Sequence, residues 1–378
     1  MDFDLNEEQS LLQDSIRRTL TDRYGFEARR GFMASETGWS RELWAQYAEL
    51  GLLGLPFSEE DGGFGGGAEE MLILAEQMGR FITLEPWFST LVLGGGFLRH
   101  GADAGLRGEL VPGIAGGETL LAFAQQERQS RYDLHDVQTT AKRDGSGWVI
   151  TGRKGMVLHG DTADHFIVTA RTGGGQRDRQ GVGVFLVPKG EASSIRGFRQ
   201  VDGSRAAEVA FENARASHCL SEDGMDLVDR VVDEAIAALA AEAVGAMDVV
   251  HGMTVDYMKT RTQFGRPIGS FQALQHKAAD MLVAIEQSRS MAYFAAMASR
   301  GEDAAERRRD MHAVKVQVGR ASRLVGQLSI QLHGGIAMTM EYAAGHYFKR
   351  LTVNEATFGD TDHHLRALSD AGGLVQAA

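Results

Sequence analysis

Between Thr119 and Ala216 the chain abandons the helical period that governs it on either side. Short apolar runs, Trp148-Val149-Ile150, Phe166-Ile167-Val168 and Val182-Gly183-Val184-Phe185-Leu186-Val187, alternate there with glycine-rich turns, which is the texture of strands. No helix-length pattern separates these runs, so the crossovers of a βαβ unit are missing and a Rossmann fold is disfavoured. The sheet has to form by itself, between two helical regions.

Before this block, Asn6 and Gln9 have capping-box spacing ahead of Leu11, Leu12, Ile16 and Leu20. A second amphipathic stretch, Arg41 to Leu53, breaks at Pro56 and at Gly62, Gly63, Gly65, Gly66 and Gly67, and apolar spacing resumes at Met71, Leu72, Leu74 and Met78. The glycines could suggest a phosphate loop. No strand precedes them and no Lys-Ser/Thr follows, so an interhelical turn is the expectation. After Asp226 three stripes appear: Val231, Ile236, Leu239, Ala243, Met247, Val250; then Phe271, Leu274, Ala278, Met281, Ile285; then Met311, Val314, Val318, Ala321, Val325, Leu328, Leu332. Steps of three and four are those of a bundle seam, and the methionines within them are core filler. The expected architecture is mainly α with a β middle domain: residues 1–115 α-helical, 116–220 β-barrel-like, 221–378 a C-terminal four-helix bundle.

Composition removes several function classes. With 378 residues, 43% hydrophobic and 24% charged, the chain has ample material for a core. The net charge of −12 and the lack of a long basic run argue against nucleic acid as a partner. Cys219 is the sole cysteine, so no disulfide forms within the chain, and a cytoplasmic setting fits. No uninterrupted apolar run approaches the ~20 residues of a membrane span, so none is expected. The start, MDFDLNEEQ, has neither the basic flank nor the apolar centre of a signal peptide.

Two separated motifs carry chemistry. Tyr257-Met-Lys-Thr-Arg261-Thr-Gln263-Phe264-Gly265-Arg266-Pro267-Ile268-Gly-Ser-Phe271-Gln272 ends one long helix and turns into the next. Seventy residues after Arg261 stands Gln331-Leu-His-Gly334-Gly335, followed by Glu341-Tyr342. With Glu59-Glu60-Asp61-Gly62-Gly63 and the strand Phe211-Glu212-Asn213-Ala214, in this order along nearly the whole chain, the sequence resembles the acyl-CoA dehydrogenase family. The resemblance implies FAD, an acyl-CoA substrate, an acceptor such as an electron-transfer flavoprotein, and oligomerisation. Taking hydrogen from an unactivated β-carbon needs a hydride acceptor that no side chain supplies. In the family, residues matching Arg261, Gln263, Phe264, Gln331, Gly334 and Gly335 grip the pyrophosphate and adenosine end of a neighbouring subunit's flavin. A guanidinium fork suits pyrophosphate oxygens, and glycines admit backbone approach. Read singly, Arg261 could be a helix-end cation, Gly334-Gly335 a C-cap and Phe264 core.

The chain also departs from that pattern. The family's base is a glutamate near the end of the bundle, in Tyr-Glu-Gly-Thr; anchoring on Gly359 puts Phe358 there, within Glu355-Ala356-Thr357-Phe358-Gly359-Asp360-Thr361-Asp362-His363-His364. In members with the base on the earlier long helix, the matching position is Ala235. Glu242, two turns beyond Ala235 in an apolar run, is a weak candidate for a relocated base, with pairing to a neighbour as the alternative. Glu234 points about 100° away from Ala235. Asp360 suits a helix cap, and adjacent His363 and His364 diverge on a helix, as rim or capping residues, so no metal site is expected. In the β domain the family's Thr-Glu-Pro and glycine-serine pair, which meet flavin and CoA, are replaced by Ala124-Gln125-Gln126-Glu127-Arg128-Gln129-Ser130, and its Trp-Ile-Thr strand by Met156-Val157-Leu158-His159-Gly160. Contacts to a flavin in cis are degraded while contacts in trans are kept. This division resembles the small subunits of bacterial heteromeric acyl-CoA dehydrogenases, such as the pimeloyl-CoA dehydrogenase small-subunit group and relatives that shorten steroid side chains. It implies a hetero-oligomer with a catalytic subunit; the alternatives are a homo-oligomer with a relocated base and a flavin-free assembly subunit.

Overall fold

The computed structural model describes residues 5–372. Helices α1 (Glu7–Arg23), α2 (Phe26–Ala34) and α3 (Arg41–Glu49) precede the glycine turn, and α4 (Ala68–Phe81), α5 (Gly95–Gly101) and α6 (Ala104–Ala115) follow it. Eight strands come next: β1 (Leu121–Ala124), β2 (Thr140–Asp144), β3 (Gly147–Leu158), β4 (His165–Arg171), β5 (Val182–Pro188), β6 (Ala192–Arg199), β7 (Arg205–Ala216) and β8 (His218–Ser221). Helix α7 (Met225–Thr260) leads through the short strands β9 (Thr262–Gln263) and β10 (Arg266–Pro267) to α8 (Gln272–Ala298), α9 (Ala304–His333), α10 (Ala343–Ala356) and α11 (Thr361–Asp370). The order helical, β, helical is the one the periodicities indicate. Contacts divide the chain into two compact units, one from residues up to Arg30, Ala68–Thr83 and everything from Ile236 onward, the other from Gly31–Gly67 and Leu84–Ala235.

In the first unit the capping box forms as its spacing suggests: Gln9 N donates to Asn6 Oδ1 at 2.8 Å and Asn6 N to Gln9 Oε1 at 3.2 Å. The α7 and α9 stripes are buried, apart from Leu328, which is half-buried. Of the stripe that runs into α8, Met281 and Ile285 are fully buried, while Phe271, Leu274 and Ala278 stay half-exposed. Helices α4 and α7 touch backbone to backbone. A Cβ at Gly79 would lie 1.9 Å from the carbonyl oxygen of Glu242, and one at Gly245 would lie 2.0 Å from that of Glu76. Ion pairs flank this crossing: Arg80 reaches Asp248 at 2.7 Å, and Arg289 of α8 reaches Asp248 at 3.0 Å and Glu76 at 3.4 Å. Helix α7 is long and apolar enough to cross a membrane, with acidic residues interrupting its apolar run. Of its most apolar window, 67% is buried inside the protein, as befits a core helix.

The second unit is built on a mixed sheet ordered β6-β7-β3-β2-β4-β5-β8, with β1 parallel to β4. Phe166, Val168, Phe185, Val209 and Phe211 fill its core. The glycine cluster is an interhelical turn, in which a Cβ at Gly63 would meet the Phe57 carbonyl oxygen at 2.3 Å. An ion pair lies inside: Lys154 on β3, 1% exposed, donates to Glu127 Oε1 at 2.8 Å, to the Gln125 carbonyl at 3.1 Å and to Thr169 Oγ1 at 3.1 Å. Burial pushes the Glu127 carboxyl up, but the Lys154 ammonium and hydrogen bonds from Lys154, Gln129 and the Thr139 N–H outweigh it and hold the group at about 2.

Both close contacts should be visible in unfolding experiments. Gly79→Ala or Gly245→Ala forces two helix backbones apart, and overpacking of this kind should cost about 3 kcal/mol; calorimetry on the folded variants measures it. Glu127→Gln strands a buried ammonium, at a cost of ~3 kcal/mol. Because the Glu127 pKa falls on folding, its contribution is complete above the unfolded value of 4.5 and fades as pH drops toward about 2. The variant's acid limb should therefore be flatter over that window. All four tryptophans lie in this unit, so their fluorescence during urea unfolding reports the comparison.

Candidate functional site

Helix α7 ends at Thr260, and the chain reverses at once. Strands β9 and β10 pair Gln263 with Arg266 and Thr262 with Pro267, leaving Phe264 and Gly265 as a two-residue turn. Their φ values of 54° and 77° are those of a type I′ hairpin, which needs left-handed backbone at both positions. Glycine adopts this freely; phenylalanine does so against a steric penalty of ~1–2 kcal/mol. Its side chain is nevertheless 91% exposed. The Phe264 ring meets Phe271 edge-on at 6.1 Å, and the Arg266 guanidinium lies 4.3 Å over the Phe271 ring. The reading of Phe264 as core is thus excluded. Arg261 and Gln263 are exposed, and among the described residues their side chains have no hydrogen-bond or ion-pair partner.

Helix α9 ends in the same region. Gly334 is its C-cap, with φ 70° and ψ −148°, a backbone state essentially reserved for glycine. Gly335 has no such need. A Cβ at either glycine would meet nothing within 4 Å, so no crowding inside the chain explains the second one. Gln331 is exposed and also lacks an internal partner among the described residues. Three rings join the two helix ends: His333 lies 4.7 Å from Tyr257 and 5.1 Å from Tyr342. Tyr257 is one turn before Arg261, and His333 adjoins Gly334. A guanidinium, two amides and an open glycine backbone thus face outward unspent. This donor set fits the pyrophosphate and adenosine end of FAD.

Neither base position carries an acid. Ala235 is fully buried. Phe358 and Gly359, at φ 58° and 118°, form the turn between α10 and α11. Lys315 fixes that turn, donating to the carbonyls of Asn354, Glu355 and Thr357 at 2.9–3.1 Å; burial outweighs the pull of Glu355 and Asp360 and brings its pKa down to about 7. His364 Nε2 donates to the Phe358 carbonyl at 3.1 Å, and its Nδ1 lies 2.8 Å from that of His312. Burial, helped by Lys315, His312 and His363, holds His364 down at about 2. It is 1% exposed, a buried turn-holder where a rim position was expected. Asp360 caps α11 through the His363 N–H at 2.8 Å. Glu242 is fully buried, chelated by Arg350 Nε and Nη2 at 2.8 Å each and by Asn354 Nδ2 at 3.0 Å. These contacts tie α7 to α10. Burial pushes Glu234 up, but His100, Arg99 and Arg230 outweigh it and hold it at about 2, far from the range of a base.

In the second unit, a cavity of about 1080 Å³ opens beside β3, β6 and β7. Gln126, Arg128, Arg153, Met156 and Ser194 are among its walls. Arg128 and Arg153 have no ion-pair partner among the described residues. Met156 and His159 both carry positive φ, and a register shift falls between Lys154 and Val157.

Several of these side chains were not anticipated. Lys154 follows Ile150 and Gly152 on one face of β3, and a lysine at an inward strand position demands a counterion. Lys315 lies four residues after Met311 and three before Val318, inside a buried seam. Arg350 gave no local signal, because its partner lies 108 residues away.

Three domain profiles of one family match: "Acyl-CoA dehydrogenase, N-terminal domain" over residues 6–118, "middle domain" over 122–214 and "C-terminal domain" over 222–372. The short-chain specific acyl-CoA dehydrogenase of Clostridium acetobutylicum is 28% identical, covering 96% of this chain and 97% of its own. Acyl-CoA dehydrogenase IpdE2 of Mycobacterium tuberculosis is 30% identical over 91% of each. Among solved structures, the Tcur3481-Tcur3483 steroid ACAD superposes with a TM-score of 0.88 at 29% identity over 97% of both chains. The fold, the outward motifs and these likenesses agree: this chain belongs to the acyl-CoA dehydrogenase family, whose members are FAD-dependent oxidoreductases.

Proposed function

We propose that this chain is the small subunit of a heteromeric, cytoplasmic acyl-CoA dehydrogenase, where it completes the FAD site of an unlike, base-carrying subunit. The observation behind this reading is a split in the residues. Groups suited to a neighbour's dinucleotide are exposed and unpartnered, whereas Phe358 and Ala235 occupy the base positions and Glu242 is chelated by Arg350. The paired name of the solved steroid ACAD points the same way.

When bound, FAD accepts the hydride that leaves the substrate β-carbon. This chain's share is binding and orientation. Arg261 pairs with pyrophosphate oxygens through its planar fork, and Gln263 and Gln331 offer amides that donate and accept. The Gly334-Gly335 backbone lets the adenosine end approach, and Phe264 covers an apolar face. The base for the α-proton of the acyl-CoA thioester would come from the unlike subunit, and an electron-transfer flavoprotein or similar acceptor would be the further partner. The β-domain cavity favours a second reading, a homo-oligomer in which each chain holds a flavin ring of its own. Its walls lack the family's usual contacts, and Glu242 could not serve it as base.

Stoichiometry separates the readings. The functional particle should hold one FAD per pair of unlike subunits, measured as flavin absorbance against protein mass, and Gly335→Arg should lower that content while leaving the melting temperature unchanged. A full equivalent per chain in the isolated protein would instead establish the homo-oligomer, and no flavin in any assembly a flavin-free scaffold. Installing a carboxylate alone should not restore chemistry: Phe358→Glu in the isolated chain is expected to give no efficient acyl-CoA oxidation, since a base acts only on a thioester held at reacting distance. Robust turnover in a dye-reduction assay would show a working cis site.

A further inference from the structure

We infer that His333 is a positioning residue for the dinucleotide half-site: its ring, packed between Tyr257 and Tyr342, holds the Arg261 turn and the Gly334-Gly335 backbone in one register. The inference rests on the half-site reading and adds the group that assembles it. Two helices, α7 and α9, must present their C-terminal ends together, although nothing covalent ties these ends and the residues that would touch the ligand are exposed. Exposed side chains cannot fix their own separation. The fixing has to come from buried groups next to them, and His333, 3% exposed, is such a group.

The geometry is specific. His333 and Tyr257 lie 4.7 Å apart at 34° between planes, close to offset stacking; His333 and Tyr342 are 5.1 Å apart at 58°; Tyr257 and Tyr342 are 6.5 Å apart at 64°. Arrangements of this kind contribute about 0.5–1.5 kcal/mol per pair beyond burial. Each ring adjoins a functional element: Tyr257 O accepts from Arg261 N at 2.8 Å, His333 precedes the C-cap glycine, and Tyr342 precedes α10. The imidazole is oriented by a bond from Nδ1 to the Ser329 carbonyl at 2.8 Å, and burial keeps the ring on the neutral side of its usual range. A neutral ring stacks without bringing a charge beside the pyrophosphate site.

The test uses ADP, the end of FAD that this half-site would meet, titrated calorimetrically into the full-length chain. Arg261→Ala should abolish binding. His333→Ala should weaken it about tenfold in a protein that still unfolds cooperatively at a lowered melting temperature, and His333→Phe, which keeps a ring and loses the Ser329 bond, should restore it. Tyr342→Leu removes the half-exposed ring from the same cluster and should repeat the His333→Ala loss, so the question stays decidable if that variant folds poorly. Wild-type affinity in the folded His333→Ala or Tyr342→Leu protein, alongside lost binding in Arg261→Ala, would reduce the cluster to packing. An absence of ADP binding in the wild type, or full binding in Arg261→Ala, would overturn the half-site reading and this inference with it.

Discussion

The helical unit depends on one contact, the crossing of α4 and α7 at Gly79 and Gly245. Each glycine lies against the main chain of the other helix, at Glu242 and Glu76 respectively, and neither position has room for a methyl group. Helices usually pack 8–10 Å apart because side chains keep them there; here the side chains are absent at the point of contact. The two acids beside the glycines are consequently drawn into the interior and need cations. Arg350 from α10 supplies one to Glu242, and Arg289 from α8 supplies one to Glu76. The close approach thus dictates which helices gather around α7. It also fixes the axis of α7, whose sixteen residues from Gly245 to Thr260 span about 24 Å at 1.5 Å each.

Charge inside this chain is consistently matched. Glu242 has Arg350 and Asn354, Glu127 has Lys154, and Lys315 has three carbonyls. Pairs of this kind are costly to break, because each partner would be left alone in a poor solvent for ions. An acid–base catalyst needs the opposite, a proton-transfer group whose partner can be exchanged for substrate. Paired in this way, the interior acids hold elements of the fold together.

Much of the architecture could be read from the sequence because it rests on local spacing. The capping box, the α7 and α9 stripes and the strand texture from Thr119 to Ala216 all reappear. Sheet order did not follow from it, since β3 joins β7 fifty residues later and β1 lies parallel to β4 through pairings no local pattern encodes. The α8 stripe misled in its first half: Phe271, Leu274 and Ala278 have seam spacing yet remain half-exposed. Periodicity reports that a face is apolar, and the same chain need not be what covers it. At the candidate site the residue types in Arg261-to-Phe271 and Gln331-to-Gly335 were legible. The distinction between the two glycines was not, because only backbone angles separate Gly334, which the cap requires, from Gly335, which nothing within the chain requires.

That distinction bears on why such a surface exists. Phe264 combines two unfavourable features, left-handed backbone and near-complete exposure, and the contacts it makes inside the chain are a single ring edge. Arg261, Gln263 and Gln331 add donors that the fold does not use. Local strain persists where the surrounding structure over-determines it, and the hairpin does so: Ile268 N closes onto Arg261 O at 2.8 Å and Arg266 is held over Phe271. The fold therefore invests order in a turn that gives it no core in return. An outward hairpin of this kind, with an apolar tip and a cationic base, is order placed on a surface and not in the core.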